Sequence, residues 1–173
     1  AADRDYTDVD GLVTNVPGLV LATFYADCVP LYFVDPGKRV IGLSHSGWKG
    51  TVGRIGKVTV ETMQREYGCR PEDILAAIGP SIYEVSEDVA EQFMSAFPAS
   101  EHGKILINKG HGKYLLDLWA ANALIFAESG ILPAHISYPG ICTCCNPDFL
   151  FSHRASKGKR GNLGAFLGLC EIN

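Results

Sequence analysis

The sequence predicts an α+β domain built as a layered sandwich, not a doubly wound sheet. Three observations carry that prediction. Segments rich in β-branched and aromatic residues come in adjacent runs, with helical segments set between the runs. The 173 residues, 47% of them hydrophobic, suit a single domain over 1–173, because a chain of this size buries about 70% of its unfolded surface. Charged residues at 20% and aromatics at 10% are enough to form a core and exclude a disordered chain.

Leu19–Tyr25, Leu31–Val34 and Arg39–Ser44 read as three strands, and Asp35-Pro36-Gly37 turns the second into the third as a hairpin. Thr51–Tyr67 reads as a helix with Val52, Ile55, Thr59 and Met63 near one face and Gly68 as its C-terminal stop. Ile74–Ile78 is a short apolar strand ending at Gly79-Pro80. Ser86 is placed to cap a helix over Glu87–Phe97, whose first-turn acids suit the positive end of the helix dipole and which Pro98 stops. Asp117 caps a helix over Leu118–Ser129, closed by Gly130, and Ala134–Tyr138 and Leu163–Leu169 read as closing strands. The opening residues read as a loop running straight into a core strand, as expected of a compact domain or of the C-terminal part of a longer protein.

The formal net charge of -4, from 15 Lys plus Arg against 19 Asp plus Glu, argues against bulk nucleic-acid binding, which needs an excess of basic charge. The most apolar run, Leu19 to Val34, is broken by Asp27 and Pro30, whereas a membrane span needs about 20 apolar residues. Ala1-Ala2-Asp3-Arg4-Asp5 lacks the basic-then-apolar order of an export signal. Of the six cysteines, Cys142, Cys144 and Cys145 crowd together, which suits reduced thiols or metal over a spread disulfide framework. A cytoplasmic protein is expected.

Two blocks could carry chemistry. Cys28, in Ala26-Asp27-Cys28-Val29-Pro30, and His45, in Ser44-His45-Ser46-Gly47-Trp48-Lys49-Gly50, each stand at the end of a predicted strand. A thiolate and an imidazole on a shared rim suit zinc, although two protein ligands hold it poorly and a third must come from elsewhere. A buried Cys acting as a small hydrophobe beside a hydrogen-bonded His fits the same spacing. The Gly-rich turn before the helix, with Lys49, could bind an anion or could be a tight turn with a packed Trp. Neither it nor Gly110-His111-Gly112-Lys113, which reads as an exposed loop, has the glycine spacing of a P-loop.

Cys142-Thr143-Cys144-Cys145 holds one C-x-x-C pair, which is half a zinc ribbon or a redox pair, and its loop setting also suits plain packing thiols. Phe149-Leu150-Phe151-Ser152-His153-Arg154, before Lys157, Lys159 and Arg160, could stack a base and hold a phosphate, or be a solvated basic loop.

Asp10-Gly11-Leu12-Val13-Thr14, the Cys28 and His45 blocks, Ala77-Ile78-Gly79-Pro80-Ser81-Ile82, Tyr114-Leu115-Leu116-Asp117-Leu118-Trp119 and Phe151-Ser152-His153-Arg154 run in order over nearly the whole chain. Together they resemble the YfiH-like family, described as multicopper polyphenol oxidoreductases or laccases and related to purine nucleoside phosphorylases. The resemblance implies an α/β/β/α sandwich with mixed sheets, of the kind shared with some cysteine hydrolases. It also implies a zinc site of His, Cys and His, in which Cys28 and His45 match the last two. No histidine precedes His45, so the domain is expected to lack its N-terminal part or the site to be incomplete. Ala155 stands where the family often has a second basic residue after Arg154. The laccase description implies copper, but the several His-rich centres of a laccase exceed what five scattered histidines can build.

The implied activities are phosphorolysis of adenosine, inosine and methylthioadenosine, and adenosine deamination, with nucleoside and phosphate as partners. Cys28 and His45 would be the metal ligands, Asp27 would move a proton or support a ligand, and Lys49 and Arg154 would bind phosphate. Two other readings stay open: a cysteine hydrolase or deamidase with Cys28 as nucleophile and His45 as base, and a non-catalytic interaction domain.

Overall fold

The computed structural model describes residues 7–82 and 84–171; the opening loop expected before residue 7 lies outside them. Ten strands, five α-helices and two 3-10 turns are formed among the described residues. The centre is a five-stranded mixed sheet in the order β1 (Gly11–Thr14), β4 (Val40–Ser46), β3 (Val29–Asp35), β5 (Leu75–Ile78) and β9 (Ile136–Ser137). Its neighbours pair antiparallel except β5 with β9.

The β3–β4 hairpin is the expected one. Asp35 Oδ1 accepts from the Lys38 amide at 2.8 Å, so the side chain closes its own turn. The register Leu31–Ser44 and Phe33–Gly42 puts these residues on the face covered by helices. Phe33 meets Phe126 edge-on with ring centroids 5.0 Å apart, and Ser44 Oγ bonds Thr59 Oγ1 at 2.6 Å. The covering helices are α2 (Ile55–Tyr67) and α5 (Leu118–Glu128). Asp117 caps α5 as expected, its Oδ1 accepting from the Ala120 amide at 2.8 Å.

The opposite face, carrying Tyr32, Ile41 and Leu43, is covered by a two-stranded sheet of β2 (Val20–Tyr25) and β10 (Leu163–Gly168). Leu21, Tyr25 and Ala165 fill that interface. The far side of this small sheet is open, with Val20, Phe24 and Phe166 at 59%, 62% and 59% exposure. The α+β class is therefore as the sequence predicts, one sheet is mixed and the two-stranded one antiparallel, and the layers run helix, sheet, sheet among the described residues.

Several boundaries differ from expectation for identifiable reasons. The helix expected over Thr51–Tyr67 is two helices, α1 (Trp48–Val52) and α2, broken at Gly53-Arg54. Arg54 adopts the left-handed conformation at φ 58°, which costs about 1–2 kcal/mol for a residue with a Cβ. Its guanidinium offsets that by bonding Glu128 Oε2 at 2.5 Å and the Ala96 carbonyl at 2.8 Å, and by lying 4.7 Å from the Phe97 ring centroid. These anchors are distant in sequence, so local pattern misses the break.

Ser86 precedes α3 (Glu87–Ala96) but makes no side-chain cap bond. The strand expected over Ala134–Tyr138 shortens to β9 because Pro133 opens a 3-10 turn over Pro133–His135. Unexpected were β1, α4 (Ala99–Ile105) and a three-stranded sheet of β6 (Glu84–Ser86), β8 (Lys113–Leu116) and β7 (Leu106–Gly110). Gly110-His111-Gly112 is the turn joining β7 to β8, with all three residues at positive φ. No helix among the described residues is long and apolar enough to cross a membrane.

Tyr25 gives this interface a pH signature. Burial, then the charge and hydrogen bond of Tyr32, pushes its hydroxyl up to about 12. A raised folded value favours the neutral form, so the stability it carries is full below about pH 10 and lost as pH rises toward 12. Denaturant midpoints from pH 8 to 11.5 should therefore fall more steeply for the wild type than for Tyr25→Phe.

Candidate functional site

Cys28 and His45 come together through strand register. Pro30 pairs with His45 and Val29 with Ser46, so Cys28, two residues before Pro30, faces the same side as His45. The position opposite Cys28 is Gly47, where a Cβ would stand 3.1 Å from Cys28 Sγ. The side they share is the one covered by β2 and β10, and Cys28 packs at the edge of that inner cluster. Cys28 lies in the turn before β3, and His45 is the second-last residue of β4. An antiparallel pair thus brings its start and its end to one rim.

His45 is held from β1. Its amide donates to the Asp10 carbonyl at 2.7 Å, and its Nδ1 lies 3.4 Å from Asp10 Oδ1. A proton on Nδ1 directed at that carboxylate leaves Nε2 as the free ring nitrogen. His45 also borders a cleft of about 300 Å³ between β1 and the free edge of β2, lined by Asp10, Leu12, Ala22, Thr23 and Phe24. Thr23 Oγ1 is buried there with no hydrogen-bond partner among the described residues.

Burial pushes the Cys28 thiol above its ordinary value; the charges of Asp27 and Asp10 add to the rise, and Arg160 opposes it. Left to itself, this sulfur is a thiol at neutral pH, and a cation in contact with it would be needed to hold the thiolate. Arg160 and Asp10 are thus electrostatic neighbours of the site that the residue-by-residue reading left out. Arg160 appeared only as part of a basic loop, because its proximity to Cys28 spans 132 positions of sequence.

Asp27 is a tether. It takes the left-handed conformation at φ 76°, which Asp tolerates better than most residues. One carboxylate oxygen accepts from Thr143 Oγ1 at 2.6 Å and the other from the Arg154 amide at 2.9 Å. Its carbonyl accepts from the Ile82 amide at 3.1 Å and Ser81 Oγ at 3.0 Å. Four segments thereby meet at the residue before Cys28, and Arg154 is drawn to the site by its backbone. Lys49 is exposed on α1, 5.5 Å from the Trp48 ring centroid. The Thr51 amide already bonds the Gly47 carbonyl at 2.9 Å.

As a metal centre the donor set is partial. A soft sulfur and a borderline nitrogen on one face suit zinc. Among the described residues, however, no three His, Cys, Asp or Glu side chains converge on one point.

Residues 1–170 match the family model for multi-copper polyphenol oxidoreductase laccase. The chain belongs to this family. Among the family's curated members it is 41% identical over 164 residues to purine nucleoside phosphorylase YlmD of Bacillus subtilis (strain 168), covering 94% of this chain and 59% of that one. It is 39% identical over 150 residues to adenosine deaminase RL5 from an unknown prokaryotic organism, covering 84% and 56%. The crystal structure of YlmD from Geobacillus stearothermophilus superimposes with a TM-score of 0.88 at 38% identity, covering 94% of this chain and 62% of that one. The chain thus spans about three-fifths of the length of these family members.

Proposed function

We propose that the chain is part of a zinc-dependent purine nucleoside enzyme that phosphorolyses adenosine, inosine and methylthioadenosine and deaminates adenosine. The observation that carries this reading is the convergence of Cys28 and His45 on one sheet face, with Asp10 behind the imidazole. The activities for which its relatives are named, purine nucleoside phosphorylase and adenosine deaminase, support it. The partners are a small-molecule nucleoside and phosphate, not nucleic acid.

Cys28 and His45 would hold the zinc, which needs at least one further ligand. Zinc held there would lower the pKa of a coordinated water to about 7 and so supply a nucleophile at neutral pH. Asp10 holds the His45 ring with Nε2 outward, and Asp27 fixes the backbone on which Cys28 stands. Lys49 and Arg154, with Arg160 beside them in chemistry, would take the phosphate by charge neutralisation, and no covalent step on the protein is needed. All six cysteines are free thiols, which supports a reducing compartment, the cytoplasm.

The test is to assay adenosine with and without phosphate, and to measure metal content by mass spectrometry, for the purified wild type and Cys28→Ala. Expected are about one zinc per chain in the wild type, its loss in Cys28→Ala, and a fall in activity of about 100-fold or more, the upper end of what even supporting residues cost. Full activity in Cys28→Ala overturns the reading. Metal-independent labelling of Cys28 by a thiol reagent, with activity lost in step, would favour the cysteine hydrolase instead. With the Cys28 thiol raised, that chemistry would need His45 to take its proton before attack.

A further inference from the structure

Cys142-Thr143-Cys144-Cys145 takes no part in the proposed reaction, yet it abuts the site. Residues 143–145 turn, and the Asn146 side chain closes that turn by donating to the Cys142 carbonyl at 2.8 Å. Cys142 is buried at 7% exposure, whereas Cys145 is exposed. The two cysteines stand three residues apart on either side of that turn. Residues i and i+3 of a turn lie within about 7 Å at Cα, the separation a disulfide needs, so a buried and an exposed cysteine placed this way can be joined.

Cys69 offers a contrast. It is buried at 4% exposure, and burial together with the neighbouring Asp35 carboxylate pushes it up to about 12. It has no thiol partner and no access to a reagent.

The residue enclosed by the pair gives the site its consequence. The Thr143 amide donates to the Ser81 carbonyl at 2.9 Å and its hydroxyl to Asp27 Oδ1 at 2.6 Å. Cys142 itself bridges to Ser81. A bond from Cys142 to Cys145 must tighten the turn in which Thr143 sits, and Asp27 is the residue before Cys28.

We propose that Cys142 and Cys145 are an oxidative modification site, closed to an intramolecular disulfide by low-molecular-weight disulfides and coupled through Thr143 to Asp27. The exposed Cys145 thiolate attacks one sulfur of the reagent disulfide, and the other leaves as a thiol. Cys142, having lost its proton to solvent, then attacks the Cys145 sulfur of the mixed disulfide and expels the second thiol. Two protein thiols are oxidised to one disulfide while one reagent disulfide is reduced to two thiols. The neighbouring Cys142 thiol, then burial and Cys144, raises the Cys145 thiol, so Cys145 rests protonated and attacks faster as pH rises.

The experiment treats the reduced, purified protein with oxidised glutathione, blocks remaining thiols with a maleimide, and reads peptides by mass spectrometry. Expected is a peptide two hydrogens lighter linking Cys142 to Cys145, restored by dithiothreitol, kept in Cys144→Ser and lost in Cys145→Ser. Hydrogen exchange of the Arg154 amide, which Asp27 accepts, should speed up about tenfold in the oxidised protein. A stable glutathione adduct on Cys145 with Cys142 still free overturns the proposal, as does a bridge through Cys144. An unchanged Arg154 amide overturns the coupling to Asp27. Because Cys145 is exposed, Cys145→Ser tests the chemistry without disturbing the core, and none of these readouts depends on nucleoside activity.

Discussion

Trp119→Ala is expected to cost about 3–5 kcal/mol of folding free energy, the range for removing a buried large aromatic. Trp119 is 1% exposed and opens α5 against the main core. Its Nε1 donates to the Gly79 carbonyl at 2.7 Å, and the Gly79 amide in turn donates to the Pro30 carbonyl at 2.9 Å. The indole is thus bonded to the end of β5, which is bonded to the start of β3. There is no slack at that junction, because a Cβ on Gly79 would lie 2.4 Å from Pro30 Cγ. For a domain of this size the loss corresponds to a fall of about 6–20 °C in Tm, read by thermal unfolding. Trp119→Phe keeps most of the packing and leaves only the carbonyl unpaired, so it should cost about 1–3 kcal/mol. Equal losses in the two variants would show that the hydrogen bond, not the volume, dominates.

Asp27→Ala carries the second large effect, and on a different quantity. It removes both carboxylate acceptors, freeing Thr143 and the Arg154 amide, and puts Ala into a left-handed conformation. The expected stability loss is about 2–4 kcal/mol. Under the proposed function the residue acts through Cys28 and Arg154, so nucleoside activity should fall by about 10–100-fold, as for residues that orient metal ligands. Asp27→Asn can still accept one of the two bonds and tolerates the left-handed backbone, so it should retain more of both properties. Hydrogen exchange at the Thr143 and Arg154 amides separates the readings: the Arg154 amide should lose protection in Asp27→Ala, while Thr143, whose amide is held by Ser81, should lose less. Wild-type protection and activity in Asp27→Ala would remove Asp27 from the site.

Much of this site is legible in the sequence because it is local. Cys28 and His45 flank the two strands of one hairpin, and the turn at Asp35-Pro36-Gly37 fixes that these strands are antiparallel neighbours. From that pairing alone the start of one strand must meet the end of the other. The Asp117 cap and the Gly68 stop are readable for the same reason, since a cap needs only residues within one turn. What escaped the reading depends on partners far along the chain. The Arg54 break in the helix is held by Glu128 and Ala96, and β1 exists because β4 offers it a free edge.

By itself the sequence determined the hydrophobic alternation of the central strands, the hairpin, the main helix stops and the two side chains able to bind a soft cation. These follow from periodicity and short-range turn chemistry, which need no knowledge of distant residues. Only the tertiary structure decided that Asp10 backs His45, that Arg160 lies near Cys28, and that Asp27 gathers Ile82, Thr143 and Arg154. Such contacts arise when remote segments pack on one sheet, and no local pattern encodes which remote segment arrives.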